Sequence, residues 1–107
     1  MFDIFYNENF LAFIFIMLKI IGLVVPLENY TNSPIPTMKN QMNKILLAEE
    51  LNFKAIWLRD IPFNVPSFGD AGQIFDPFVY LGLLSGITSK ISLGVGSIIL
   101  PLRHPSH

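Results

Sequence analysis

The chain reads as an α/β unit with the order β-α-β-α-β and a parallel sheet, and three observations predict it. Three short apolar runs, at residues 20–25, 55–58 and 91–100, are separated by two stretches of helical periodicity. The first run is continuous and β-branched rather than alternating, the pattern of a strand covered on both faces. The connections are long enough to hold a helix each, as parallel neighbours require.

Residues 1–18 form an apolar extension ahead of this unit. The nine residues 10–18 are all apolar, Lys19 follows them, and the apolar run then resumes. A secretory signal would need a basic leading region and a small-residue cleavage site, whereas this segment carries Asp3 and Glu8. A spanning helix needs about 20 unbroken apolar residues, and Lys19 interrupts them. The extension is therefore read as leading into a buried strand rather than crossing a membrane.

The first strand ends at Pro26, and residues 28–36, with Asn29, Asn32, Ser33, Pro34 and Pro36, form a loop. A helix capped by Thr37 follows, its buried face made by Met38, Met42, Ile45, Ala48 and Leu51 with Leu46 beside them. Lys39, Gln41, Lys44 and Glu50 fall elsewhere. Asn52 stops the helix, because asparagine tolerates the left-handed conformation best after glycine, and Phe53 is placed for the hydrophobic contact of a Schellman ending.

The second strand, 55–58, delivers Arg59 and Asp60 at its carboxyl end. Such a pair is either a solvated strand end or part of a site, since ligands of parallel α/β folds lie beyond that edge. Residues 61–75 form a loop of fifteen residues, against about 2–6 for an ordinary connection. Phe63, Phe68 and Phe75 in it need somewhere to pack.

Asp76-Pro77 starts the second helix, with Asp at the N-cap and Pro where no amide hydrogen is needed. Phe78, Leu81, Leu84 and Ile87 are expected to be buried, with Gly82 and Gly86 allowing close approach of a neighbour. In the third strand, Gly94 and Gly96 suggest a bulge or a place where a backbone or ligand comes close.

Composition narrows the function. Of 107 residues 51% are hydrophobic, and the mean hydropathy is +0.50, more than one small domain usually needs. Further protein is expected to cover part of this surface. A net charge of −1 with seven scattered Lys and Arg leaves no basic patch for nucleic acid or anionic lipid. There is no cysteine, and His104 and His107 lack a third ligand at metal-site spacing, so no metal is expected. Gly94-Val95-Gly96 lacks the third glycine and the following helix of a dinucleotide fingerprint.

Several segments together resemble the luciferase-like flavin oxidoreductases. They are Ala55-Ile56-Trp57-Leu58-Arg59-Asp60, Pro66-Ser67-Phe68-Gly69-Asp70, Asp76-Pro77, and above all the run from Leu93-Gly94-Val95-Gly96-Ser97 through Ile98-Ile99-Leu100-Pro101 to Leu102-Arg103-His104-Pro105. The helix ending Ala48-Glu49-Glu50-Leu51-Asn52-Phe53 also fits, with Asn52 where the family usually has Gly. The resemblance covers residues 19–107 and implies an incomplete TIM barrel, the opening β-α-β-α-β portion of a (β/α)₈ fold that needs about 250 residues.

The same resemblance implies flavin chemistry on a small substrate, with reduced FMN as cofactor or a deazaflavin coenzyme as the alternative. It places Gly96 and Ser97 at the flavin ring, joined by a non-prolyl cis peptide, a bond that costs about 2.5–4 kcal/mol and needs its surroundings to enforce it. It makes Asp60 and His104 candidates for the substrate pocket. Ile61 stands where bacterial luciferase has a catalytic His, so that acid/base role does not carry over. The expectation is a cytoplasmic oxidoreductase or monooxygenase, inactive as this fragment, whose exposed sheet is covered by the rest of the barrel or by another copy. A small stand-alone interaction or membrane-associated protein is the alternative.

Overall fold

Three strands pair in parallel in the order β1-β2-β3, with β1 at Gly22–Val24, β2 at Ala55–Leu58 and β3 at Ser92–Val95. These come from a computed structural model that describes residues 8–28, 35–63, 65, 67 and 75–106. The helices are α1 (Glu8–Leu18), α2 (Gln41–Glu50) and α3 (Pro77–Ile87), and a short 3-10 helix spans Leu100–Leu102. The expected strand and helix order is therefore present, with an additional helix in the N-terminal extension. Asn29, Asn32, Ser33 and Pro34 of the first loop, Pro66, Phe68, Gly69, Asp70 and Gly72 of the second, and His107 lie outside the described residues.

The first strand is shorter than the apolar run predicts. The amides of Lys19, Ile20 and Ile21 donate to the carbonyls of Ile16, Met17 and Leu18, so they finish the turn of α1 and cannot join the ladder. α1 itself exposes apolar side chains, Phe13 at 58% and Ile16 at 62% among them. Among the described residues, no helix is long and apolar enough to cross a membrane.

The sheet is covered on one face, not two. Ile56 and Leu58 are fully buried, and Leu23, Leu93 and Val95 pack toward the same cluster with Ile45, Ala48, Tyr80 and Leu84 of the helices. The other face carries Gly22, Val24, Trp57 and Gly94, and Val24 and Trp57 are about half exposed. Continuous apolarity here reflects two different surroundings: a packed helical layer and an open apolar face.

α2 starts later than the sequence predicts because Met38 and Asn40 adopt left-handed φ values of 59° and 57°. Thr37 caps the preceding turn instead, its Oγ1 accepting from the Lys39 amide, while the Glu28 carboxylate accepts from the Thr37 and Met38 amides. The shift brings Gln41 into the interior and exposes Met42. A buried amide needs partners, and Gln41 finds them on Leu27, accepting from its N–H at 2.9 Å and donating to its carbonyl at 3.4 Å.

The ending of α2 is as predicted. Asn52 has φ 64°, its amide donates to the Glu49 carbonyl and the Phe53 amide to the Ala48 carbonyl, the two bonds of a Schellman motif. Phe53 packs against the core.

α3 begins with Asp76 accepting from the Phe78 and Val79 amides at 2.9 and 3.2 Å, and Pro77 at its first position. Of the predicted series, Leu84 is buried and Leu81 packs against the core, whereas Phe78 and Ile87 are exposed and Pro77 and Tyr80 complete the buried stripe. Tyr80 stacks edge-on against Phe75 at 5.1 Å, and its buried hydroxyl has no hydrogen-bond partner among the described residues. Phe63 is exposed. A Cβ placed on Gly82 or Gly86 meets nothing within 4 Å, so neither glycine serves a close approach among the described residues.

Candidate functional site at the carboxyl edge of the sheet

The ladder from β2 to β3 is regular, Ala55 opposite Ser92 through Leu58 opposite Val95, so no bulge interrupts it at Gly94. β3 ends at Val95, and the glycines have another use. A Cβ on Gly94 would lie 2.8 Å from Trp57 Cζ3, and one on Gly22 would lie 2.9 Å from Trp57 Nε1. Because these contacts come from the neighbouring strands on either side, the indole must lie flat across the sheet between two residues without side chains. Gly96 continues that strip, with nothing closer than 3.6 Å to its Cβ position.

The chain leaves the sheet at the next residue. The Gly96 amide donates to the Leu58 carbonyl, and Ser97 turns the backbone with a φ of 70°. The Gly96-Ser97 peptide, expected to be cis, is trans, the cis bond among the described residues being Val25-Pro26. The change of direction here is carried by the left-handed dihedral of Ser97, which makes an isomerised bond unnecessary.

Asp60, at the end of β2, is buried, and a buried carboxylate requires a cation or several donors. Arg103 meets it with Nη2 on Oδ1 at 2.7 Å and Nε on Oδ2 at 3.2 Å, while the Ile99 amide donates to Oδ2 at 2.9 Å. The third arm of the guanidinium, Nη1, reaches the N-cap residue Asp76 at 2.8 Å, and the group lies 4.8 Å from the centre of the Phe78 ring. One cation thus joins the end of β2, the start of α3 and the segment after β3.

The electrostatics follow from this contact. Arg103 is the chief cause holding the Asp60 and Asp76 carboxyls below their usual range, with the Ile99 amide helping at Asp60 and the Val79 and Phe78 amides at Asp76. The carboxylates in turn, Asp60 first, raise the guanidinium pKa still further. The site is fully ionised at neutral pH.

Arg103 also separates two clefts. One, of about 350 Å³, is lined by Phe78, Ile98, Leu100, Arg103, His104 and Pro105, and the other, of about 170 Å³, by residues that include Asp60, Ile61, Phe75 and Asp76. His104 is exposed at the first, its Nδ1 accepting from the Ser106 amide at 3.2 Å and lying 2.6 Å from the Ser106 hydroxyl. Of the predicted site residues, Asp60, Gly96 and Ser97 share one edge, whereas His104 stands on the far side of Arg103. No group of three metal-ligating side chains converges among the described residues.

Sequence reasoning missed Arg103 and the placement of Trp57. A signal for the first existed, since an acidic residue at the end of a buried strand demands a cation. Nothing in the spacing showed that the cation would lie 43 residues away.

A parallel α/β sheet with bare backbone, a flat indole and an ion-paired cluster at its carboxyl edge puts these residues where parallel α/β folds as a class hold their ligands. Residues 20–107 match the luciferase-like monooxygenase family, and the chain belongs to it. It is 30% identical over 73 residues to the alkanal monooxygenase alpha chain of Photorhabdus laumondii, covering 68% of this chain and 19% of that protein. An alkanal monooxygenase alpha chain of Photorhabdus luminescens is 32% identical over 59 residues, 55% of this chain and 15% of its own. The uncharacterized protein y4vJ of Sinorhizobium fredii is 27% identical over 78 residues, 73% of this chain and 21% of its own. The chain spans about a fifth of the length of these relatives.

Proposed function

We propose that the chain is the opening part of a flavin-dependent oxidoreductase barrel, in which the carboxyl edge of the sheet receives the ring of reduced FMN, or of a deazaflavin, beside a small organic substrate. The observation that carries this reading is the strip of Trp57, Gly94 and Gly96. With no side chain at either glycine and the indole lying flat, the open face presents a planar apolar surface that fits a tricyclic ring.

Gly96 and Ser97 would hold the ring edge through backbone groups and the Ser97 hydroxyl. The bound flavin supplies the redox reactivity, and the chain's own residues supply position and exclusion of water. Asp60 acts through Arg103, and His104 with its apolar neighbours Phe78, Ile98 and Leu100 shapes the wall of a substrate pocket. Ile61, adjacent to Asp60, is apolar and provides no proton at that point. In the family the phosphate site is built by later strands, so the contacts proposed for these residues are with the ring. Further barrel units, or a second copy, cover Val24 and the part of the open face that the ring leaves bare, and the setting is cytoplasmic.

Trp57 is the single tryptophan of the chain and therefore reports directly on this surface. Titration with FMN, riboflavin and a deazaflavin should quench its emission, and FMN and riboflavin should do so alike because the ring, not the phosphate, makes the contact. Unchanged emission with all three would sink the proposal.

A second reading rests on α1, whose apolar side chains are exposed. A stand-alone interaction or membrane-associated protein would use that helix to associate. A chain that runs as a monomer on sizing and stays off lipid vesicles disposes of this reading.

A further inference from the structure

We infer that Arg103 is the positioning residue of the flavin-side turn, holding residues 96–103 in the conformation that presents Gly96 and Ser97. The inference rests on the flavin reading above and assigns a role to a residue that contacts neither the ring surface nor Trp57. Its basis is the number of separate elements that converge on one head group.

Two of the three guanidinium nitrogens engage Asp60 and the third engages Asp76, so the end of β2 and the N-cap of α3 are fixed relative to the segment that carries Arg103. Asp60 holds the same segment a second time through the Ile99 amide. The Gly96 amide is bound to the Leu58 carbonyl. Three attachments therefore bracket Ser97, whose left-handed φ of 70° is otherwise unfavourable for a residue with a side chain. Removing the Arg103 attachment frees one end of the bracket, and Ser97 can relax toward ordinary dihedrals.

The geometry calls for arginine specifically. A planar fork meets two carboxylates at once along fixed directions, and a lysine ammonium is a point charge that keeps the attraction but not the directions. The Phe78 ring beneath the guanidinium, 4.8 Å away, adds a face that an ammonium uses less well. Arg103→Lys should accordingly retain part of the function and Arg103→Gln little of it.

The test compares the full 107-residue chain with Arg103→Gln, Arg103→Lys and Glu49→Gln, following Trp57 emission during FMN titration and amide hydrogen exchange in the same samples. Glu49 binds backbone amides at the opposite edge of the sheet and serves as a control for general loss of stability. The expected result is that Arg103→Gln weakens FMN binding about tenfold, as loss of a charge-assisted contact would. Arg103→Lys should fall between it and the unaltered chain, while Glu49→Gln leaves FMN affinity unchanged. Equal affinity for Arg103→Gln and the unaltered chain, or equal weakening by Glu49→Gln, overturns the inference. If the unaltered chain gives no FMN response, the flavin reading fails by itself. Exchange then decides the bracket: faster exchange at Gly96 and Ile99 than at Ile56 in Arg103→Gln or Arg103→Lys upholds it, and unchanged rates at all three overturn it.

Discussion

The two edges of the sheet are each tied together by a carboxylate, in different ways. At the amino edge, Glu49 of α2 accepts from three consecutive amides, those of Ser89, Lys90 and Ile91, and so fixes the entry into β3. The partners there are backbone, the connections are short, and Asn52 closes α2 with local bonds. At the carboxyl edge, Asp60 and Asp76 share the side chain of Arg103, and the chain departs into long connections. A carboxylate on backbone amides secures the fold with little to adjust. Two carboxylates on one side-chain cation secure a turn while leaving the bare backbone of Gly96 beside it.

The largest effect is expected from filling the ring surface. Gly94→Ala puts a Cβ 2.8 Å from a carbon of the stiff Trp57 ring, which must tilt off the sheet. Unfolding in urea should show a loss of about 1–3 kcal/mol, the usual cost of overpacking, together with a shift of Trp57 emission. An unchanged emission maximum would mean that the indole does not lie against Gly94, and the planar surface would go with it.

Acid should separate the edges by a smaller amount. Asp60, Asp76 and Glu49 all have folded-state pKa values below their ordinary ones, Glu49 chiefly through the Ile91 amide. A carboxylate lowered on folding contributes stability that is complete above its unfolded pKa, about 4, and is lost as pH falls through the folded value. The unfolding midpoint should therefore hold from neutral pH to about 5 and then fall. Asp60→Asn should flatten that fall and, unlike Glu49→Gln, weaken FMN quenching at pH 7. If both substitutions leave the acid limb as it was, neither the Asp60–Arg103 pair nor the Glu49 amide contacts contribute to the acid dependence of stability.

The smallest effect belongs to the amino edge. Asn52 sits at φ 64° in a conformation that glycine enters without steric cost, so Asn52→Gly should change stability by no more than about 0.5 kcal/mol. Thermal unfolding measures this, and a loss above 1 kcal/mol would show that the bond from the Asn52 side chain to the Glu50 carbonyl matters more than the turn.

The amino edge was the more legible in sequence. The second strand, the Schellman ending at Asn52 and, at the other edge, the Asp76-Pro77 cap are local signals, each decided by residues within a turn of one another, and the structure reproduces them. The start of α2 was misread because a buried Gln41 is indistinguishable from a surface glutamine until Leu27 is known to lie beside it. The stripe of α3 was misread for a related reason: Phe78 matched the apolar period but lies under Arg103, while Tyr80 fills the core. At Gly94 the sequence left a bulge or a close approach open, and the ladder is regular there because the need for glycine came from a neighbouring strand's indole.

The sequence by itself determined the alternation of strands and helices, the caps that bound them and, through the run from Leu93 to Pro105, the family. Tertiary structure alone decided which face of the sheet is open, that Trp57 lies between Gly22 and Gly94, and that Asp60, Asp76 and Arg103 meet. Periodicity and capping act over a few residues, within the reach of backbone hydrogen bonds. The pairing of Asp60 with Arg103 closes a span of 43 residues, and only the packing of β2, α3 and β3 brings those charges together.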